Sequence, residues 1–185
     1  MVDTGLHARI HRLLNRGLSG QATIEARVDW PLWQFPFLLV GQILTPHTDC
    51  VTLIVVLLLL YGFGYMWVRG LVGALVLERT RRGVMLVAGD TLEEEFKLYN
   101  RTALPLLWAE FVDSSELPDY DPSRVVAVPR LNHYRWHASA TCHQRGVYRL
   151  GPGRVVTDDP FGLFRLKIDL PQIQNVLIYP RVLQL

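Results

Sequence analysis

From Val51 to Val68 the chain runs eighteen residues without a charge, Val-Thr-Leu-Ile-Val-Val-Leu-Leu-Leu-Leu-Tyr-Gly-Phe-Gly-Tyr-Met-Trp-Val, and no other feature constrains its fold as much. At a rise of about 1.5 Å per residue such a helix covers roughly 27 Å, close to the hydrocarbon core of a bilayer at about 30 Å. Tyr61, Tyr65 and Trp67 collect toward its C-terminal end, where amphipathic rings favour the headgroup region, and Arg69, Arg79, Arg81 and Arg82 follow. The run starts well inside the chain and no small-residue cleavage site follows it, which argues against a cleaved signal peptide. The pattern predicts a transmembrane helix over 50–72.

Trp30 to Thr48 is also uncharged, although Pro31 and Pro36 interrupt it and Trp30 to Leu44 would reach only about 22 Å as a straight helix. Thr45-Pro46-His47-Thr48-Asp49 has turn composition, so residues 30–77 are expected to form a transmembrane hairpin with spans near 30–44 and 50–72. Arg9, Arg12, Arg16 and Arg27 precede it, four arginines follow it, and the turn carries only Asp49. By the positive-inside rule both ends lie in the cytoplasm, as expected of a multi-pass membrane protein. In residues 1–29, Leu6, Ile10, Leu13 and Leu14 recur at helical spacing with Arg9, Arg12 and Arg16 off that face. This basic amphipathic segment suits an anionic leaflet, or else is a solvated tail.

Beyond Arg82 the period changes from 3.6 to 2. In Phe164-Arg-Leu-Lys-Ile-Asp-Leu170 even positions are apolar and odd ones charged, the mark of a half-buried strand. Further strands are expected at Val84–Val87, Leu92–Leu98, Leu106–Val112, Arg124–Val128, His133–Cys142, Val147–Leu150, Arg154–Thr157 and Val176–Tyr179. Turns at Gly89-Asp90, Asn100-Arg101, Leu117-Pro118-Asp119, Gly151-Pro152-Gly153 and Asp159-Pro160-Phe161-Gly162 separate them. The last has the residue preferences of a type I turn. Short strands without a convincing helix indicate an antiparallel immunoglobulin-like β-sandwich over 78–185, two sheets deep. The net charge of +2 comes with mixed signs and no basic face, so nucleic acid is not an expected partner.

Ala88-Gly89-Asp90, the strand ending at Asn100, Asp113, Arg145-Gly146-Val147-Tyr148, Leu150-Gly151-Pro152, Asp158-Asp159-Pro160-Phe161-Gly162-Leu163-Phe164 and Tyr179-Pro180 follow the hairpin in that order. This succession resembles the N-terminal half of the bacterial "domain of unknown function 58" family, with Arg-Gly-x-Tyr and Asp-Pro-Phe-Gly-Leu-Phe the specific elements. The resemblance implies two membrane spans, a β-sandwich and a MoxR-type AAA+ ATPase as protein partner. The family's C-terminal von Willebrand factor A-like domain and its signature have no counterpart in these residues, so no role of that half carries over.

No nucleophile elbow, P-loop, dinucleotide fingerprint or Cys-x-x-Cys occurs, and no catalytic residue, cofactor or metal is expected. His133 and His137 on one strand stand about 13 Å apart, too far to share a metal. Asp113, Glu116, Asp119 and Asp121 lack the spacing of a twelve-residue calcium loop. The expected function is a membrane-anchored, non-enzymatic interaction or assembly module. The alternatives are an outward-facing envelope domain of the same architecture and a hydrolase or metalloenzyme. Tyr120, Tyr134 and Trp136, large aromatics beside polar residues in Leu117 to Tyr120 and His133 to Trp136, are the candidate interaction surface.

Overall fold

The computed structural model describes residues 15, 21–27, 30–44, 48–82 and 86–180; the amphipathic segment read at Leu6 to Leu14 and the turn at 45–47 lie outside them. In chain order the elements are β1 (Ala22–Ala26), α1 (Trp30–Leu44), α2 (Thr48–Leu71), β2 (Leu75–Arg82), β3 (Leu86–Val87), β4 (Thr91–Asn100) and β5 (Leu106–Asp113). Then follow β6 (Arg124–Val128), β7 (Asn132–Thr141), β8 (Gly146–Leu150), β9 (Gly153–Asp158), β10 (Phe164–Leu170) and β11 (Gln174–Tyr179). They fall into two compact units: one joins the chain up to Val72 with Asp158–Leu166, and the other takes Gly73–Thr157 and everything from Lys167. The division does not follow the chain order expected from the sequence, because Asp158–Leu166 groups with the hairpin.

In the first unit α1 takes Pro31 in its opening turn, where a missing N–H costs nothing, and runs on through Pro36. Asp49 in the first turn and Arg69 in the last turn of α2 oppose the helix dipole. Phe35, early in α1, meets Tyr61, late in α2, edge to face at 6.2 Å, so the two helices are the antiparallel arms of a hairpin. β1 is a neighbour of β10, and Arg27 N donates to Leu163 O at 2.8 Å just past its end. On the chain's other side, Asn15 acts as a one-residue strand partner: its Nδ2 donates to Ile24 O at 3.0 Å and its Oδ1 accepts from Ile24 N at 2.7 Å.

The second unit is a β-sandwich, antiparallel except where β11 runs parallel to β3. One layer is β2-β4-β7. Phe96 on its β4 packs 5.4 Å from Phe111 of β5, and Trp136 on its β7 packs 5.7 Å from the same ring. Farther along the same face Leu92 and Ala140 close over Leu150, Val176 and Ile178 of β8 and β11. The opposing layer is therefore built from two ladders, β10-β9-β5-β6 and β3-β11-β8. They are joined where Glu116 N donates to Arg149 O at 2.9 Å and Ser114 N to Pro152 O at 3.0 Å. The expected two layers are present, but one of them is divided at the Gly151-Pro152 turn.

Two strands escaped the sequence. β1, Ala-Thr-Ile-Glu-Ala, does alternate, but it is only five residues long and stands apart from the other strands, ahead of the hairpin. β2 follows the apolar run directly, and its Arg79 stands where a core side chain is expected. Arg79, one of the four arginines after the apolar run, has its side chain only 8% exposed, inside the sandwich, so it does not serve as a topology-setting charge as expected.

Candidate functional site

The Asp-Pro-Phe-Gly-Leu-Phe segment has a physical task in the first unit. Gly162 N donates to Asp159 O at 3.0 Å, the i to i+3 bond of the expected turn, and Gly162 takes φ 68°, a conformation cheap for glycine. The Asp159 carboxylate caps its own turn, Oδ2 accepting from Phe161 N at 2.9 Å and Oδ1 from Phe164 N at 2.6 Å. Its neighbour Asp158, buried, accepts from Arg27 Nη1 at 2.8 Å and Arg165 Nε at 2.8 Å. Gly64 of α2 lets the turn come close: a Cβ there would stand 3.2 Å from both Asp159 Oδ2 and the Phe164 ring. Phe164 sits edge-on between Tyr61 and Tyr65, at 5.7 and 5.9 Å, and Phe161 lies 5.8 Å from Phe63. Each such aromatic pair contributes about 0.5–1.5 kcal/mol beyond its area, so the motif clamps the turn onto the end of the helix.

The second unit holds the densest set of titratable groups. Glu94 Oε2 accepts from Arg79 Nε at 2.9 Å and Nη2 at 2.6 Å, and the Tyr120 hydroxyl donates to the same oxygen. Asp113 Oδ1 lies 3.5 Å from Arg79 Nη1, and Ser115 donates to the other carboxylate oxygen. The Arg79 guanidinium also stands 5.2 Å over the Phe96 ring, a cation–π contact strengthened by exclusion of water. Glu94 and Asp113 are fully buried, and Glu94 Oε1 has no hydrogen-bond partner. Burial raises the Asp113 pKa against the Ser115 hydrogen bond and the Arg79 charge. Burial, and the hydrogen bond to Glu94, likewise raise Tyr120, which stays a phenol. Burial alone would lower Arg79, and its bond and charge contact with Glu94 outweigh that. The cluster ties β2, β4, β5 and the loop at Tyr120 together.

The candidate surface aromatics divide. Tyr120 is 7% and Trp136 3% exposed, so neither is on the surface as expected. Tyr120 turns inward to reach Glu94, and Trp136 stacks on Phe96 at 5.2 Å while its Nε1 donates to Pro122 O at 3.1 Å. Tyr134 remains, 38% exposed. Among the described residues no three His, Cys, Asp or Glu side chains converge as a metal site would need. His133 faces Tyr99 with ring centroids 5.2 Å apart, Cys142 is buried with its thiol pKa pushed up, and Asp121 caps Ser123 N at 2.9 Å. His143 lines a small cavity of about 140 Å³ with Leu117, Thr141 and Tyr148. What sequence reasoning missed is an exposed apolar strip on the sandwich, Val147 and its register partner Leu177 with Tyr179 two residues on. The run Val-Leu-Ile-Tyr is apolar throughout, so no alternation could tell its outward face from its inward one.

No protein-family model and no curated protein matches the chain. Among solved structures, the CARDB domain of a Pyrococcus furiosus protein, crystallised with di-metal ions, is 12% identical. Its TM-score is 0.42, over 58% of this chain and 94% of that one. Spo0M, a sporulation control protein of Bacillus subtilis, is 7% identical at a TM-score of 0.34, over 60% and 51%. A PapD-like domain of human CEP192 is 11% identical at 0.31, over 59% and 86%.

Proposed function

We propose that the chain is a membrane-anchored, non-enzymatic interaction or assembly module, its hairpin crossing the bilayer twice and its sandwich positioning a protein partner at the cytoplasmic face. The family resemblance nominates a MoxR-type AAA+ ATPase as that partner. The observation that carries the reading is α2: 24 residues long, with Leu59 68% and Met66 73% exposed. Apolar area left in water costs about 25 cal/mol per Å², and a patch this long calls for a cover. Phe37, Ile43 and Leu44 of α1 continue the exposed surface. At about 22 Å, α1 needs the bilayer to thin locally around it.

With the native thiols removed by Cys50→Ser and Cys142→Ala, Asp49→Cys in the first turn of α2 is expected to label from outside intact cells. Arg130→Cys, in an exposed sandwich turn, should label only after the cells are opened. The reverse pattern would establish the outward-facing envelope domain instead. Gly153 is no place for the probe, because a Cβ there would meet Phe111 Cε2 at 2.7 Å.

A pull-down from detergent extract with added MoxR-type ATPase tests the partner. Recovery should fall with Leu177→Asp or Tyr134→Ala while the melting temperature stays unchanged, both side chains being exposed. No recovery with the unsubstituted protein, under cross-linking, removes that partner from the reading.

A further inference from the structure

We propose that the Asp159–Leu163 turn is a membrane-contacting element, its Pro160 and Phe161 lying among the upper acyl chains beneath the headgroups, beside α2; this rests on α2 being a span. The depth follows from the helix. From Thr48 to Phe63 is about 22 Å of rise, and a core of about 30 Å needs some five residues more, to Val68. The near boundary of the hydrocarbon thus falls about 7 Å beyond Phe63, and the turn is held at the level of Phe63 by the 5.8 Å contact with Phe161. Tilting α2 would move the boundary farther along the helix and draw the turn deeper.

The turn is chemically fit for that place. Non-helical backbone is tolerated near lipid only when its polar groups are bonded within the protein. Asp159 N donates to Phe164 O at 3.1 Å and Gly162 N to Asp159 O at 3.0 Å, Phe161 N and Phe164 N end on the Asp159 carboxylate, and Pro160 has no N–H. Both acids face inward: Asp158 is matched by Arg27 and Arg165, and Asp159 is spent on the turn itself. What faces outward is Pro160 and Phe161, the latter 54% exposed, continuous with Phe63 and Met66 on the exposed stripe of α2. Carboxylates buried, the Phe161 and Gly162 amides bonded and an aromatic presented suit a membrane anchor, and the Arg27 guanidinium beside the turn, on a side chain 54% exposed, is placed to reach lipid headgroups.

The test uses the whole chain, without native thiols, reconstituted in phosphatidylcholine–phosphatidylglycerol vesicles and labelled with an environment-sensitive fluorophore at one cysteine. Val55→Cys reports the span, Phe161→Cys and Pro160→Cys the turn, and Arg130→Cys the water-facing sandwich. Val55 should be quenched by lipids carrying a nitroxide deep in the acyl chain. Residues 160 and 161 should be quenched best by lipids carrying it on the upper acyl chain, with iodide quenching several-fold weaker than at Arg130. Iodide quenching at both turn positions equal to that at Arg130, while Val55 stays lipid-quenched, overturns the inference and leaves the span standing. Iodide access at Val55 itself overturns the span, and the inference with it. Pro160, which packs no ring against α2, guards against a label at Phe161 prying the turn loose.

Discussion

Arg79→Met is expected to lower the stability of the protein by about 3–5 kcal/mol, the usual loss when one partner of a buried ion pair is removed. The methionine keeps much of the volume and can lie against Phe96, so the loss comes chiefly from leaving Glu94 and Asp113, both fully buried, without a counter-charge. Urea unfolding of the detergent-solubilised protein, followed through Trp136 in the same core, measures it. A loss below about 1 kcal/mol, the scale of an exposed pair, would mean that water reaches the cluster. Adding Glu94→Gln to the variant should recover part of the loss, since it removes one of the stranded charges.

The same cluster gives stability a pH dependence. Because burial raises the Asp113 pKa above its ordinary 3.8, the folded state binds that proton more readily than the unfolded one. The contribution of Asp113 is then fully present below the ordinary value and is lost as pH rises through the raised one. Asp113→Asn should abolish that decline, read as a flatter stability-against-pH curve on the acid side.

Gly151→Ala is expected to cost about 2–5 kcal/mol, from two independent sources. Gly151 holds φ 87°, a region in which a Cβ costs about 1–2 kcal/mol. The added methyl would also stand 2.5 Å from Gln172 O, a backbone atom that cannot swing away, and forcing such an overlap adds about 1–3 kcal/mol. Gly62→Ala is the matched control: it has nothing within 4 Å of the new Cβ and lies inside α2, where alanine is the better helix former. Thermal melting of the two variants side by side decides, and equal melting temperatures would show that the Gly151 turn can rearrange.

Much of the fold was legible because a strand with one wet face announces itself: β10 occupies the residues read from alternation, β6 occupies those expected between the turn signals, and the turn ahead of β10 closes as Asp, Pro and Gly demanded. The charged core was not. Glu94 lies between Leu92 and Phe96 at an inward position of β4, and Arg79 follows Leu75 and Leu77 at an inward position of β2. Periodicity treats a charge as a vote for the surface, and only the coincidence of opposite charges at inward positions of neighbouring strands could have signalled a buried pair. Tyr120 was misplaced for a related reason, since Asp119 and Asp121 make its loop look solvated while the ring alone dips inward to Glu94. The clamp on α2 was half visible: the motif was plain, but that its carboxylate would cap its own turn and its rings meet Tyr61, Phe63 and Tyr65 depends on long-range packing that no local pattern encodes.

The chain leaves the helical unit at Val72, rejoins it at Asp158 and departs again after Leu166. A protease that clips the stretch after α2 would therefore not shed the β-domain as a free fragment. The downstream piece would still carry Phe164 against Tyr61 and Tyr65, Asp158 against Arg27 and Leu163 O on Arg27 N, so a nicked molecule stays together without a covalent link. Release takes two further cuts, one on each side of Asp158–Leu166, which makes the attachment resistant to the single cleavage that frees a domain tethered by one stalk.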